Sequence, residues 1–133
     1  MYHLIVIDDE DSICNVLRCY LEDQGFNISV AHDGKQGLDL VEHDPPDLLI
    51  TDVFMPEKDG VEVILAMRRK WPAVPIVVIS GGSLLGIRDM LYTAKIIGAA
   101  HVLRKPFALE ELLAAIHDLL PPVLPQTAKV CTA

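Results

Sequence analysis

The chain has 133 residues, 51% of them hydrophobic, and its 19 acidic against 11 basic side chains leave a formal net charge of −8. That length suits one domain that buries about two-thirds of its unfolded surface without staples. No apolar run approaches the ~18–20 residues of a membrane span, and the acidic balance argues against direct nucleic-acid binding, which depends on clustered Lys and Arg.

The first element is the apolar run His3-Leu4-Ile5-Val6-Ile7, which stops abruptly at Asp8-Asp9-Glu10-Asp11. An unbroken hydrophobic run of this length reads as a parallel strand buried on both faces. Ile13, Val16, Leu17, Tyr20 and Leu21 then form one helical stripe, opened by Asp11 or Ser12 and stopped by Gly25. Phe26 to Val30 alternates and predicts a second, edge strand. Asp33-Gly34 starts a short helix carrying Leu38 and Val41, which ends before Pro45-Pro46. Leu48-Leu49-Ile50-Thr51 is a third strand and ends on Asp52. After the loop from Val53 to Gly60, Val61, Ile64, Leu65 and Arg68 mark a third helix closed before Pro72, with Arg68-Arg69-Lys70 as its solvated, dipole-matched end. Pro75-Ile76-Val77-Val78-Ile79 is the most hydrophobic strand, hence expected at the centre, and leads into Ser80-Gly81-Gly82. A fourth helix is expected between Leu84 and Ile97, then a strand Ala100-His101-Val102-Leu103 ending on Arg104-Lys105-Pro106. A last helix carries Leu109, Leu112, Leu113, Ile116 and Leu120.

Strict alternation of strands and helices predicts a doubly wound α/β fold with a five-stranded parallel sheet and right-handed crossovers. One domain is expected over residues 1–120, with 121–133 a flexible, proline-bearing C-terminal tail and no second domain. The N-terminus lacks the basic region and cleavage site of a secretory signal, which predicts a cytoplasmic protein. Cys14, Cys19 and Cys131 are odd in number and show no C-x-x-C spacing, so reduced structural thiols are expected. His3, His32, His43, His101 and His117 are scattered without metal-like pairing, and only His101 stands near other candidate residues.

In such a sheet the carboxyl ends of the strands share one rim. That rim collects Asp8 and Asp9, Asp52, Ser80 and Lys105. Crowded carboxylates repel one another and need a compensating partner, and a hard cation such as Mg²⁺ with oxygen ligands supplies one. Ser80 can donate a hydrogen bond and Lys105 can pair with a phosphoryl oxygen, while Asp52 has the chemistry of a nucleophile that forms an aspartyl phosphate. Each residue also has a plainer reading. Asp8, Asp9 and above all Asp11 suit a helix N-terminus, Asp52 a loop start, Ser80 a turn, and Lys105 a solvated charge before proline. Their convergence on one rim favours phosphoryl transfer.

Val6-Ile7-Asp8-Asp9-Glu10, Leu48-Leu49-Ile50-Thr51-Asp52 with Met55-Pro56 and Asp59-Gly60, Val77-Val78-Ile79-Ser80-Gly81, and Val102-Leu103 with Lys105-Pro106-Phe107 together resemble the receiver domain of two-component response regulators. The resemblance covers roughly residues 3–120. It implies the flavodoxin-like (βα)5 fold with strand order 2-1-3-4-5 and five helices, in a stand-alone signalling domain rather than an enzyme. It implies that Asp52 takes a phosphoryl group from a phosphohistidine of a sensor kinase or phosphotransfer protein, assisting its own transfer and autodephosphorylation. Asp9 and Asp52 would ligate Mg²⁺ with the backbone carbonyl of Phe54, and Asp8 would act through bound water. Ser80 would swing toward the phosphoryl group, and Lys105, presented by a cis bond to Pro106, would bind it. Met55, Pro56 and Gly60 would position the loop.

Three features depart from that family's usual pattern. Val102 stands where an aromatic ring is usual, so switching must use another movement. Ser80 is followed by Gly81-Gly82-Ser83-Leu84-Leu85-Gly86, the interval from Ser80 to Lys105 is about three residues longer than usual, and the glycines lower the cost of rearrangement, so this loop is expected to be the moving part. Phe54 is bulky where a polar side chain is common, and it is expected to shield the acyl phosphate from water. A downstream protein or a second copy is expected on the face of the fourth helix, fifth strand and last helix, with neither nucleic acid nor membrane involved. The alternative is a haloacid-dehalogenase-like Mg²⁺-dependent phosphatase, which would need a further acidic pair after Lys105. Only Glu110, Glu111 and Asp118 follow it. A flavin carrier would need a phosphate-binding loop where this chain places four acids.

Overall fold

The computed structural model describes residues 1–52, 60–80 and 99–121. Five parallel strands form one sheet: β1 (His3–Ile7), β2 (Asn27–Ala31), β3 (Leu48–Asp52), β4 (Ile76–Ser80) and β5 (His101–Arg104), in the order β2-β1-β3-β4-β5. The helices are α1 (Asp11–Asp23), α2 (Gly34–His43), α3 (Gly60–Lys70) and a C-terminal helix (Leu109–Leu119). The helix expected between Leu84 and Ile97 lies outside the described residues, as do Phe54, the glycine-rich stretch after Ser80 and the tail beyond Pro121.

Successive residues of a strand point to opposite faces, and each face here has its own core. Ile5, Ile7, Leu49, Ile76 and Val78 pack against Val41 of α2 and Val63, Ile64 and Met67 of α3. Leu4, Val6, Leu48, Ile50, Val77 and Ile79 pack against Leu17 and Leu21 of α1 and Leu112 and Ile116 of the C-terminal helix. Every residue of β3 is buried, as suits the middle of a sheet covered on both sides.

The strand order is the 2-1-3-4-5 that the resemblance implies, with β3 in the middle and the most hydrophobic strand, β4, an interior strand between β3 and β5. Hydrophobicity reports burial on two faces, and all interior strands share that. The third helix differs from expectation: Val63, Ile64 and Met67 are its buried residues, whereas Leu65 is 45% exposed. Arg68 is no solvated end. Its guanidinium donates to the carbonyls of Pro72 and Val74 and ties down the turn after α3.

The turns are made locally. Gly25, at φ 97°, follows α1, with the Gly25 amide donating to the Glu22 carbonyl and the Phe26 amide to the Leu21 carbonyl, a paired C-terminal motif that needs a left-handed residue. Asp33 caps α2 through the Gln36 amide, and Gln36 accepts from the His32 amide in return. Gly37 lets α2 lie close on β1, since a Cβ there would sit 2.1 Å from Ile7 Cδ1.

Candidate functional site

Register brings the acidic residues together. Ile7 pairs with Thr51 across β1 and β3, so the next residue of each chain segment, Asp8 and Asp52, emerges beside the other. Asp52 pairs with Ile79, and Ser80 with Arg104, which sets Lys105 just past the same rim. Asp8 is 1% exposed and Asp52 5%. Asp8, Asp9 and Asp52 offer ligand atoms that all lie within 4.8 Å of one another, with Asp9 on the exposed side. The Ser80 backbone ends β4, and its side chain is outside what the structure describes.

Lys105 reaches into this group. Its Nζ lies 3.1 Å from Asp8 Oδ2, 3.1 Å from Asp52 Oδ2 and 3.5 Å from Glu10 Oε1. The Lys105–Pro106 peptide bond is cis. Burial alone would draw the ammonium's pKa down, but the charges and hydrogen bonds of Asp52 and Asp8 overbalance it and hold it above its usual value. Asp8 moves the other way for an acid: burial pushes its pKa up and the Asp52 charge adds to that, offset in part by the Glu10 amide and by Lys105. Among the described residues one lysine thus faces several carboxylates, a crowding of like charge in a partly dry setting. A divalent cation fits that donor set, since hard cations take clustered carboxylate oxygens.

At the β1–α1 corner the helix cap differs from expectation, and the expected structural thiol is present. Asp11 was expected to cap α1, but Glu10 holds the cap position, its side chain makes no capping bond, and Asp11 is the first helical residue. The Asp11 carboxylate instead faces His32 Nδ1 at 3.3 Å. Cys14 is buried and donates to the Asp8 carbonyl at 3.2 Å. Burial, with the charges of Asp8 and Asp11, pushes its thiol up to about 11, so it serves as a structural thiol that steadies the β1–α1 corner. A groove of about 500 Å³ opens beside Lys105, lined by Ile13, Val16, Leu17, Pro106, Phe107 and Leu109, with Val16 51% exposed.

The acids after Lys105 serve other ends. Glu111 accepts from the Ala108 amide at the start of the C-terminal helix, and Asp118 faces His101 Nε2 at 2.8 Å. Neither joins the cluster, which leaves the phosphatase alternative without its second acidic pair among the described residues. No helix among them is long and apolar enough to cross a membrane.

The family model of the response regulator receiver domain matches residues 4–117. Among curated proteins, response regulator MprA of Mycobacterium bovis is 38% identical over 125 residues, covering 94% of this chain and 53% of that protein. MprA of Mycobacterium avium is 39% identical over 117 residues, covering 88% of this chain and 50% of its own. The chain therefore spans about half the length of the curated relatives it matches. Among solved structures, the chemotaxis protein CheY4 of Vibrio cholerae superimposes with a TM-score of 0.81 at 29% identity, over 90% of this chain and 99% of that one. A response regulator receiver domain protein of Clostridium thermocellum gives 0.81 at 26% identity, over 90% and 94%.

Proposed function

This chain belongs to the response regulator receiver domain family, and from that premise we propose that Asp52 is its phosphoacceptor. A carboxylate oxygen of Asp52 attacks the phosphorus of a phosphohistidine on a sensor kinase or phosphotransfer protein. The P–N bond breaks as the P–O bond forms, and the imidazole leaves with a proton taken from water. The observation that carries this reading is the Lys105 ammonium shared between Asp8 and Asp52 at 3.1 Å each. A cation already held at the acceptor can turn to a phosphoryl oxygen without any long rearrangement, and preorganised charge of this kind is the main contribution to phosphoryl transfer. The Ser80 hydroxyl is the second donor to that group.

Asp8, Asp9 and Asp52, with the Phe54 carbonyl, would hold Mg²⁺. When bound, the ion supplies positive charge against the phosphoryl oxygens. The transfer and the later hydrolysis are steps of a signalling domain acting on itself, not turnover of a free substrate. The donor protein docks on the apolar groove beside Lys105, whose half-exposed Val16 gives it contact area. Output goes to a protein partner or a second copy over the β5 and C-terminal helix face. Residues 1–120 form the receiver and 121–133 a tail, working in the cytoplasm. The absence of nucleic-acid contact is proposed for these 133 residues alone, because the curated relatives are about twice as long.

Beryllofluoride, a phosphoryl mimic, tests the reading in solution. It should bind only with Mg²⁺, and Asp52→Ala should abolish binding. Mass measurement on the same samples reports whether the loaded form dimerises. Binding that survives Asp52→Ala would overturn the assignment.

A further inference from the structure

Among the described residues Lys105 has three carboxylate neighbours, and the proposed chemistry uses only two. The third, Glu10, lies outside the Asp8-Asp9-Asp52 cluster and places Oε1 3.5 Å from Lys105 Nζ. Glu10 occupies the cap position of α1, where an acidic side chain usually accepts from the first-turn amides; it makes no such bond. Its backbone amide donates to Asp8 Oδ1 at 2.9 Å, which pins the residue against the site. At 59% side-chain exposure, its carboxylate is the outermost charge around the lysine.

Two effects of this placement act in the same direction. An anionic phosphodonor approaching Asp52 meets a like charge at the mouth, at a range where salt screening is only partial. Glu10 also competes with the incoming phosphoryl oxygens for the ammonium they need. We propose that Glu10 is a specificity-determining residue, an electrostatic gate that disfavours small anionic phosphodonors at Asp52. A protein donor offsets the same repulsion with docking contacts of its own, so the gate protects the signal from free acyl phosphates. This inference rests on Asp52 being the phosphoacceptor.

The test compares wild type, Glu10→Gln and Glu10→Asp in phosphorylation by acetyl phosphate with Mg²⁺. Glu10→Gln keeps the shape and removes the charge, and its apparent KM should fall about 2–5-fold, the scale of one exposed charge pair. The gap should close at high ionic strength, while kcat moves less than KM and Glu10→Asp stays at the wild-type KM. A role confined to holding the fold would not produce that salt-dependent KM change. An unchanged or higher KM in Glu10→Gln, with wild type labelled at Asp52, overturns the gate alone. A wild type that takes no label, or labels as well after Asp52→Ala, overturns the phosphoacceptor reading and the gate with it.

Discussion

At the amino end of the sheet, Asp47 accepts from the His3 amide at 2.8 Å, its own amide donates to the His3 carbonyl at 2.7 Å, and the Tyr2 hydroxyl donates to the Pro121 carbonyl. At the carboxyl end, Asp8 and Asp52 share one ammonium with Glu10, and Asp9 stands by without adding a cation. The same residue types serve both ends. Asp47 at the amino end is exposed and has the His3 amide as its donor. At the carboxyl end Asp8 and Asp52 are buried side by side around the Lys105 ammonium, and burial makes such crowding of like charge costly. The first arrangement joins two strand ends; the second gathers carboxylate oxygens of the kind that hard cations take.

Substitutions can break this contrast, beginning with the largest effect. Lys105→Met leaves Asp8 and Asp52 buried without their ammonium, and should cost about 3 kcal/mol in Mg²⁺-free urea unfolding. Mg²⁺ should restore part of that loss, because it answers the same charge. Gly25→Ala, at the far end, forces a side chain into a left-handed conformation and should cost about 1–2 kcal/mol. That loss should be equal with and without Mg²⁺, and labelling should not change. A Mg²⁺-dependent loss in Gly25→Ala would show that the two ends are not independent.

Asp8→Asn should instead stabilise the protein at pH 7 without Mg²⁺. Burial, with the neighbouring Asp52 charge, holds the folded-state pKa of Asp8 above its ordinary value of 3.8. As pH rises through the window between the two, the folded state still holds a proton that the unfolded chain has lost, so wild-type stability falls there. The asparagine variant escapes that fall, and its advantage should vanish below about pH 4, where the unfolded acid is protonated too. Thermal unfolding across that pH range reads the difference. Tyr2→Phe is the smallest case: losing one exposed hydrogen bond to Pro121 should cost less than about 1 kcal/mol and leave Mg²⁺ binding unchanged.

Much of this site is legible in the chain because its signals are local. An apolar run meeting Asp8-Asp9, and another meeting Asp52, mark two strand ends, and period alone places Leu17, Leu21, Leu112 and Ile116 in the core. What sequence hides is register and reach. Hydrophobicity marks β3 and β4 alike as interior strands, and only the family's strand order, 2-1-3-4-5, sets β3 in the middle. Arg68 reads as a solvated cation until the turn at Pro72 and Val74 folds back beneath it. Glu10 reads as one acid in a run of four. Its use of the side chain on Lys105, 95 residues away, appears only when β5 closes the sheet. The His101–Asp118 contact is hidden for the same reason, since it joins a strand to the helix that follows.

The most direct test of the central claim is the fate of the residue 52 side chain when purified protein meets acetyl phosphate or a cognate kinase with Mg²⁺. Intact-mass and peptide measurements should show one phosphoryl group per chain, on Asp52, lost on chelation before mixing and absent from Asp52→Ala. Wild-type protein that stays unlabelled, or an Asp52→Ala variant that labels equally well, would contradict the account.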